Sequence, residues 1–297
     1  MKKDMTITEI FDRAKKQFDG GNLNEGYTIN GKTFHVYYTN QEWEEYKEKM
    51  PQKVKDRFDE GKGSEMKPYT RNGYTFPPKM ASYASSSRFM VSQGQTFDDF
   101  EYEKQLPTGL GGYPAHLDGY LKSKRVFVEA KCHEFYNYSR PELKEGHKKL
   151  LDGIIPLLGG KLTYSAPQGK LYLSWKGEDS GFFDFKQMLC HLSGIANMVL
   201  EEEEKKVNFI YLIYRSSEKL LSFVEKNTNR QRIQELFNEE KKMAETIDFK
   251  SIYGAILHYF NSEKYGYSEA EIREIAAKFS FTFCTQDNFK SVVDNIK

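Results

Sequence analysis

One stretch, residues 113–134 (YPAHLDGYLKSKRVFVEAKCHE), constrains the fold more than any other. Successive side chains of a strand point to opposite faces. In its second half Val126, Val128, Ala130 and Cys132 therefore share one face, and Phe127, Glu129, Lys131 and His133 share the other. In its first half Leu117 and Leu121 go with the apolar set, while His116, Asp118 and Tyr120 go with the polar set. Lys122-Ser123-Lys124-Arg125 supplies the turn. A hairpin centred between Ser123 and Lys124 sets Asp118 directly opposite Glu129, and His116 opposite Lys131. Opposed side chains carry their Cβ atoms about 5 Å apart, and like charges there are destabilising. A divalent cation removes the conflict, because hard ions such as Mg²⁺ are bound through carboxylate oxygens. The bland account is a solvated hairpin face with ordinary surface charges. The opposed acids and the clean alternation on both strands argue against it.

The segments around the hairpin extend it into a sheet. Residues 100–106 (FEYEKQL) alternate Phe100, Tyr102 and Lys104 against Glu101, Glu103 and Gln105, as a first core strand. Residues 80–93 (MASYASSSRFMVSQ) read as a helix led by small residues, with Ser87 and Arg88 as candidates for phosphate contact. After the hairpin, 135–168 is less regular. A short helix over 141–151 carries Lys144, His147, Lys148 and Lys149, close in sequence to the polar face. Residues 171–175 suggest a short strand. Residues 182–200 make the clearest helix, with Phe185, Met188, Leu189, Leu192, Ile195, Ala196 and Val199 on one apolar stripe. Gln187, His191 and Gly194 form a second stripe. Residues 207–214 (VNFIYLIY) are apolar on both faces, as a buried central strand should be. The expected class is α/β with a mixed, α+β-type sheet, in the order helix, three strands, helix, strand.

Elaborations flank this core. Residues 1–66 read as an N-terminal unit: an amphipathic helix over 5–18, a hairpin over 27–38 turning at Asn30-Gly31, and two charged helices separated by Pro51. The Gly- and Pro-rich stretch 61–79 reads as a linker. Residues 67–297 form the main domain, whose part from 217 onward is mostly helical. There, Ser268 to Glu271 is a capping box and 280–285 (SFTFCT) an edge strand.

The formal net charge of the 297-residue chain is +1, so any polyanion contact requires lysines and arginines gathered locally. Phe and Tyr number 22 and 20, enough aromatic mass for a real core and against disorder. Cys132, Cys190 and Cys284 are far apart and offer neither a disulfide framework nor zinc-ligand spacing. No GxSxG is present, which sets aside the usual serine-hydrolase elbow. The first residues lack an apolar signal core, and no run approaches the roughly 18 apolar residues of a spanning helix. A cytoplasmic, non-membrane protein is expected.

Asp118 followed by Glu129-Ala130-Lys131 resembles the D…(D/E)xK signature of the PD-(D/E)xK nuclease superfamily, over about 77–216. Leu117 stands where that signature has its proline. The resemblance implies a restriction-endonuclease-like αβββαβ core with helical N- and C-terminal elaborations. It implies Mg²⁺, or Mn²⁺ in its place, held by Asp118, Glu129 and the carbonyl of Ala130. Lys131 would orient or deprotonate the attacking water, and Gln187 matches a site-facing glutamine of some members. Further candidates are Glu101, Glu103, His116, Glu134 and His191, with Glu65 upstream as another source of a third acid. The implied partner is DNA, cut by an endonuclease of restriction or phage defence, with a homodimer as one mode of assembly. A nuclease of repair, recombination or a mobile element, and a non-catalytic nucleic-acid-binding protein of the same fold, are the alternatives.

Overall fold

The structure, a computed structural model, describes residues 27–29, 32–34, 38, 40–60, 65–71, 74–82, 85–132, 142–165, 171–175, 183–215 and 227–296. The expected helix over 5–18, the turn at Asn30-Gly31, and His133 and Glu134 lie outside these residues.

Two short strands, β1 (Tyr27–Ile29) and β2 (Lys32–Phe34), pair antiparallel, and α1 (Asn40–Lys49) and α2 (Gln52–Glu60) follow on either side of Pro51. The stretch expected to be a linker contains a second hairpin, β3 (Tyr69–Arg71) and β4 (Tyr74–Phe76). The reason is local: Asn72-Gly73 stands between two runs of Tyr and Thr, the strongest short-range hairpin signal. Next come α3 (Ser86–Gly94), β5 (Phe100–Leu106), β6 (Ala115–Leu121) and β7 (Val126–Lys131). The helix expected from residue 80 begins later. Lys79–Ala81 makes a single tight turn, and Ser85 caps α3 by accepting from the Arg88 amide at 3.1 Å. The segment after β7 holds α4 (Glu145–Ile154) and the hairpin β8 (Leu162–Ser165) and β9 (Tyr172–Trp175). Then follow α5 (Phe185–Glu201), β10 (Val207–Ile213), α6 (Asn227–Thr246), α7 (Phe249–Lys264), α8 (Glu269–Ala277), β11 (Phe279–Thr285) and α9 (Phe289–Asn295).

Five strands form one mixed sheet in the order β11-β10-β7-β6-β5. β5, β6 and β7 are antiparallel neighbours, and β10 runs parallel to both β7 and β11. β7 and β10 lie inside the sheet, and every residue of both is buried. The polar face of the hairpin is therefore not a solvated one: Phe127 is wholly inaccessible, Glu129 is 1 % exposed and Lys131 7 %. Helix packing explains this. α5 covers the face that carries Glu129, and the aromatic face of α7 stacks Phe249 on Phe281 and Tyr253 on Phe279 of the edge strand. α3 lies behind Gly119, where an added Cβ would come within 2.3 Å of Phe100 and 3.2 Å of Met90 Sδ. Each buried aromatic or large aliphatic side chain is worth about 1.5–3 kcal/mol, so this double-sided core holds β7 rigidly.

The β6–β7 register is the expected one: Gly119 opposes Val128, Tyr120 opposes Phe127 and Leu121 opposes Val126. The turn is a short 3₁₀ segment, Lys122–Lys124, closed by Arg125 in the left-handed region (φ 53°). The Arg125 guanidinium anchors that turn to Glu202 and to the Lys206 and Glu204 carbonyls after α5. Among the described residues, no helix is long and apolar enough to cross a membrane.

Candidate active site

The ladder between β6 and β7 ends at Gly119 and Val128. One residue further on, the Asp118 carboxylate takes over: its Oδ2 accepts the Ala130 amide N–H at 2.8 Å. The expected pairings of Asp118 with Glu129 and of His116 with Lys131 are thus not part of the ladder, while on the other side of β6 His116 pairs with Gln105 of β5. Ala130 meets Asp118 through its amide. On the other side of β6, Glu103 stands between the pairs Tyr102–Gly119 and Lys104–Leu117, which puts it opposite Asp118. Glu103 is left-handed (φ 51°), a conformation uncommon for a residue with a side chain. Glu103, Asp118 and Glu129 thus come from three neighbouring strands and form a loose row of acids whose charges bear on one another.

Other groups close on this row. Ser87, from the first turn of α3, donates to Glu103 Oε1 at 3.0 Å, and His116 Nδ1 lies 3.9 Å from Glu103 Oε2. Glu65 holds Lys79 at 2.8 Å. Lys131 Nζ lies 2.8 Å from Glu129 Oε1 and donates to Gln187 Oε1. His191 Nε2 lies 3.0 Å from Glu129 Oε2. Neither ion-pair contact of Glu129 is aligned as a hydrogen bond, so both of its buried oxygens keep unused lone pairs. The two α5 side chains are placed by the start of that helix. Asp184 caps it by accepting the Gln187 amide at 2.9 Å, and one turn separates Gln187 from His191 on the face turned to the sheet.

The titration behaviour follows from crowding. Burial, then the charges of Glu129 and Glu103, hold the Asp118 carboxyl well above the usual range, although the residue keeps part of its surface open. Burial and then Glu65 push Glu103 up to about 7. Burial acts to raise Glu129 as well, but His191 and Lys131 outweigh it and hold that carboxyl at about 2. Burial, then the neighbouring His191, lowers His116. Four carboxyls, Glu65, Glu103, Asp118 and Glu129, thus face two lysines, Lys79 and Lys131. Acids outnumber bases here even with a proton on His191.

The remaining expected residues are elsewhere. Glu101 is held by Lys104 at 2.8 Å and opposes Tyr120 rather than joining the row. Arg88 lies over the Tyr38 ring, 4.1 Å from its centroid. The sequence reading missed Lys79, whose signal was weak because it sits among Gly and Pro. It also missed Glu240 and Tyr211. Tyr211 stands beside Glu129 in the β7–β10 register and donates to Glu240 Oε1 at 2.5 Å. The signal was present: Phe237, Glu240 and Ala244 follow a helical spacing, so Glu240 is an acid on an apolar stripe.

Among the described residues, no three His, Cys, Asp or Glu side chains are already drawn together tightly enough to hold a metal ion. The donor chemistry nevertheless fits a hard divalent cation: clustered carboxylates in excess over cations, with lone pairs free on buried Glu129. Such an ion would restore charge balance, and Glu129 would exchange contacts with His191 and Lys131 to receive it. No protein-family model, curated protein or solved structure matches the chain.

Proposed function

We propose that the chain is a Mg²⁺-dependent endonuclease of the PD-(D/E)xK type that hydrolyses DNA phosphodiester bonds, acting in the cytoplasm in restriction or phage defence. One observation carries the reading: the row Glu103–Asp118–Glu129 with Lys131 two residues beyond, an acid excess beside a buried amine. The element order α3-β5-β6-β7-α5-β10, interrupted by α4 and the β8–β9 hairpin, is compatible with a restriction-endonuclease-like core.

On this reading Asp118 and Glu129 hold the ion, and Glu103 is the third acid that the helix before the first strand does not supply. Bound there, Mg²⁺ contributes Lewis acidity toward a phosphoryl oxygen and acidifies a water ligand. The chain's own groups do the rest. Lys131 orients the attacking water and offsets charge that develops on the phosphate; fixed charge of this kind is usually the largest single catalytic contribution. Gln187 holds the Lys131 ammonium in line, and the Asp118–Ala130 hydrogen bond fixes the carboxylate to the backbone that carries Glu129 and Lys131.

The test is incubation of the purified protein with unmethylated plasmid and phage DNA, with Mg²⁺ or with EDTA, beside Lys131→Ala and Asp118→Ala. Discrete fragments that require metal and vanish in both variants are expected. DNA that is bound yet never cut would instead favour a non-catalytic binding protein.

A further inference from the structure

Among the described residues two large apolar side chains are exposed, Leu157 at 48 % and Tyr113 at 93 %. A lone apolar side chain on a surface is ordinary. Tyr113 differs in how it is held. Gly111 and Gly112 before it are left-handed (φ 80° and 92°), a backbone that glycine adopts without cost, and a Cβ added to either would meet nothing within 4 Å. The foot of the same loop is fixed. Leu110 and Thr108 are buried, and Thr108 Oγ1 accepts the Leu110 amide at 3.3 Å. Asn197 of α5 donates to the Thr108 carbonyl at 3.0 Å, and α4 abuts the loop so closely that a Cβ on Gly146 would lie 2.4 Å from the Leu110 carbonyl oxygen. An anchored loop thus carries a bare ring.

The ring stands at the site's end of the sheet. The loop joins β5 to β6 where the antiparallel β7 reaches Lys131. Five residues separate Tyr113 from Asp118, at most about 18 Å of chain. α4 is tied to the other side of the site: His147 Nε2 lies 3.4 Å from Cys190 Sγ, next to His191 on α5. Lys144, Lys148 and Lys149 reach solvent on and beside α4, against Glu145 and Asp152. Aromatic rings flanked by lysines are the means by which proteins hold unpaired nucleotides, the rings stacking on bases and the lysines meeting phosphates. In a duplex both faces of each base are already stacked, so a protein ring gains most from a base that has left the helix.

We propose that Tyr113 is a stacking platform for an unpaired base, and that the DNA bound for cleavage has such a base within roughly five nucleotides of the phosphate at Asp118. The inference rests on the nuclease reading and deepens it by naming the substrate class. Fully paired DNA is opened before it fits, and so binds more weakly.

The test is binding of the full chain, in EDTA so that nothing is cut, to a short duplex with a gap of a few nucleotides and to the same duplex fully paired. Fluorescence anisotropy gives the affinities, and 2-aminopurine placed in the gap reports stacking through its quenching. Wild type is expected to prefer the gapped probe by roughly 10-fold and to quench the analogue. Tyr113→Ala and Tyr113→Leu lose both the preference and the quenching; Tyr113→Trp keeps both. Changing Lys148 and Lys149 together to Ala weakens binding to both probes by a similar factor and lowers the salt slope by about 2. A preference that survives in Tyr113→Ala overturns the inference, and so does one that survives in Tyr113→Leu, which would mark a wedge between paired bases. If wild type binds neither probe, the DNA reading and this inference fall together. If Mg²⁺ brings cleavage while Tyr113→Ala binds as wild type does, only this inference falls. If the variants behave as described while Mg²⁺ brings no cleavage, only the nuclease reading falls.

Discussion

The crowding of Glu103 makes stability depend on pH in a direction opposite to that of most carboxylates. Its pKa is raised from 4.5 to about 7, first by burial and then by Glu65. Between those values the folded protein binds a proton that the unfolded chain has released. Stability contributed by that proton is whole below about 4.5 and falls as pH rises toward 7. Each unit of pKa is about 1.4 kcal/mol, so the loss from Glu103 is on the order of 3 kcal/mol. Asp118 and Glu240, both raised, act in the same sense, while the lowered His116 and His147 act in the opposite one below about pH 6.5. The informative quantity is therefore the difference between wild type and Glu103→Gln, measured as urea unfolding free energy near pH 5 and near pH 8 without metal. Wild type should lose about 3 kcal/mol more than the variant across that interval. Saturating Mg²⁺ should return most of this at the upper pH, since a ligand at a hundred times its Kd stabilises by about 2.7 kcal/mol, and should do far less near pH 5, where protons compete. A wild type that tracks Glu103→Gln at both pH values would refute the assignment of Glu103 to the crowded row. An Mg²⁺ effect independent of pH would refute its coupling to the metal.

Three further predictions follow from the packing. Gln187→Leu should cut the cleavage rate while leaving Mg²⁺-dependent thermal stabilisation intact, because Gln187 touches the lysine and no proposed metal ligand. Gly194→Ala should lower the urea midpoint by the equivalent of about 1–3 kcal/mol, because the new Cβ would lie 2.5 Å from Leu106 Cβ and force α5 away from β5. Gly153→Ala is its control: that Cβ meets open space within a helix, and a gain of about 0.5–1 kcal/mol is expected in the same titration.

Legibility in the sequence differed with the range of the physics involved. The β6–β7 register could be read because a short turn leaves few ways to pair two alternating strands, and Gly119–Val128 and Leu121–Val126 are paired as the turn requires. β10 could be read because only a strand covered on both faces tolerates seven consecutive buried positions. In β7 the alternation separated an apolar face from a polar one and argued against a solvated hairpin, but only the covering helix shows that the polar face is buried as well. The Asn72-Gly73 hairpin was passed over because Gly and Pro density around it suggested a linker.

The site shows the same division more sharply. Asp118, Glu129 and Lys131 lie within one local unit, so strand geometry alone joined them. Gln187 and His191 follow on a helix whose periodicity gave their shared face, but not which strand that face would meet. The partner of His191 is Glu129, across the sheet rather than along the chain. Glu103 was one of two acids on its strand face, and alternation cannot separate it from Glu101, since both positions point the same way. What separates them is the backbone: Glu103 turns left-handed opposite Asp118, while Glu101 stays regular and is neutralised by Lys104. Left-handed backbone on a glutamate costs on the order of 1 kcal/mol, and a carboxyl raised to about 7 costs more. Two adverse features at one residue are hard to explain as packing, since glutamine or glycine there would relieve one or both. They are accounted for if a cation arriving in the folded state returns the energy, and so the strain at Glu103 and the acid excess around Asp118 and Glu129 are best understood as one feature.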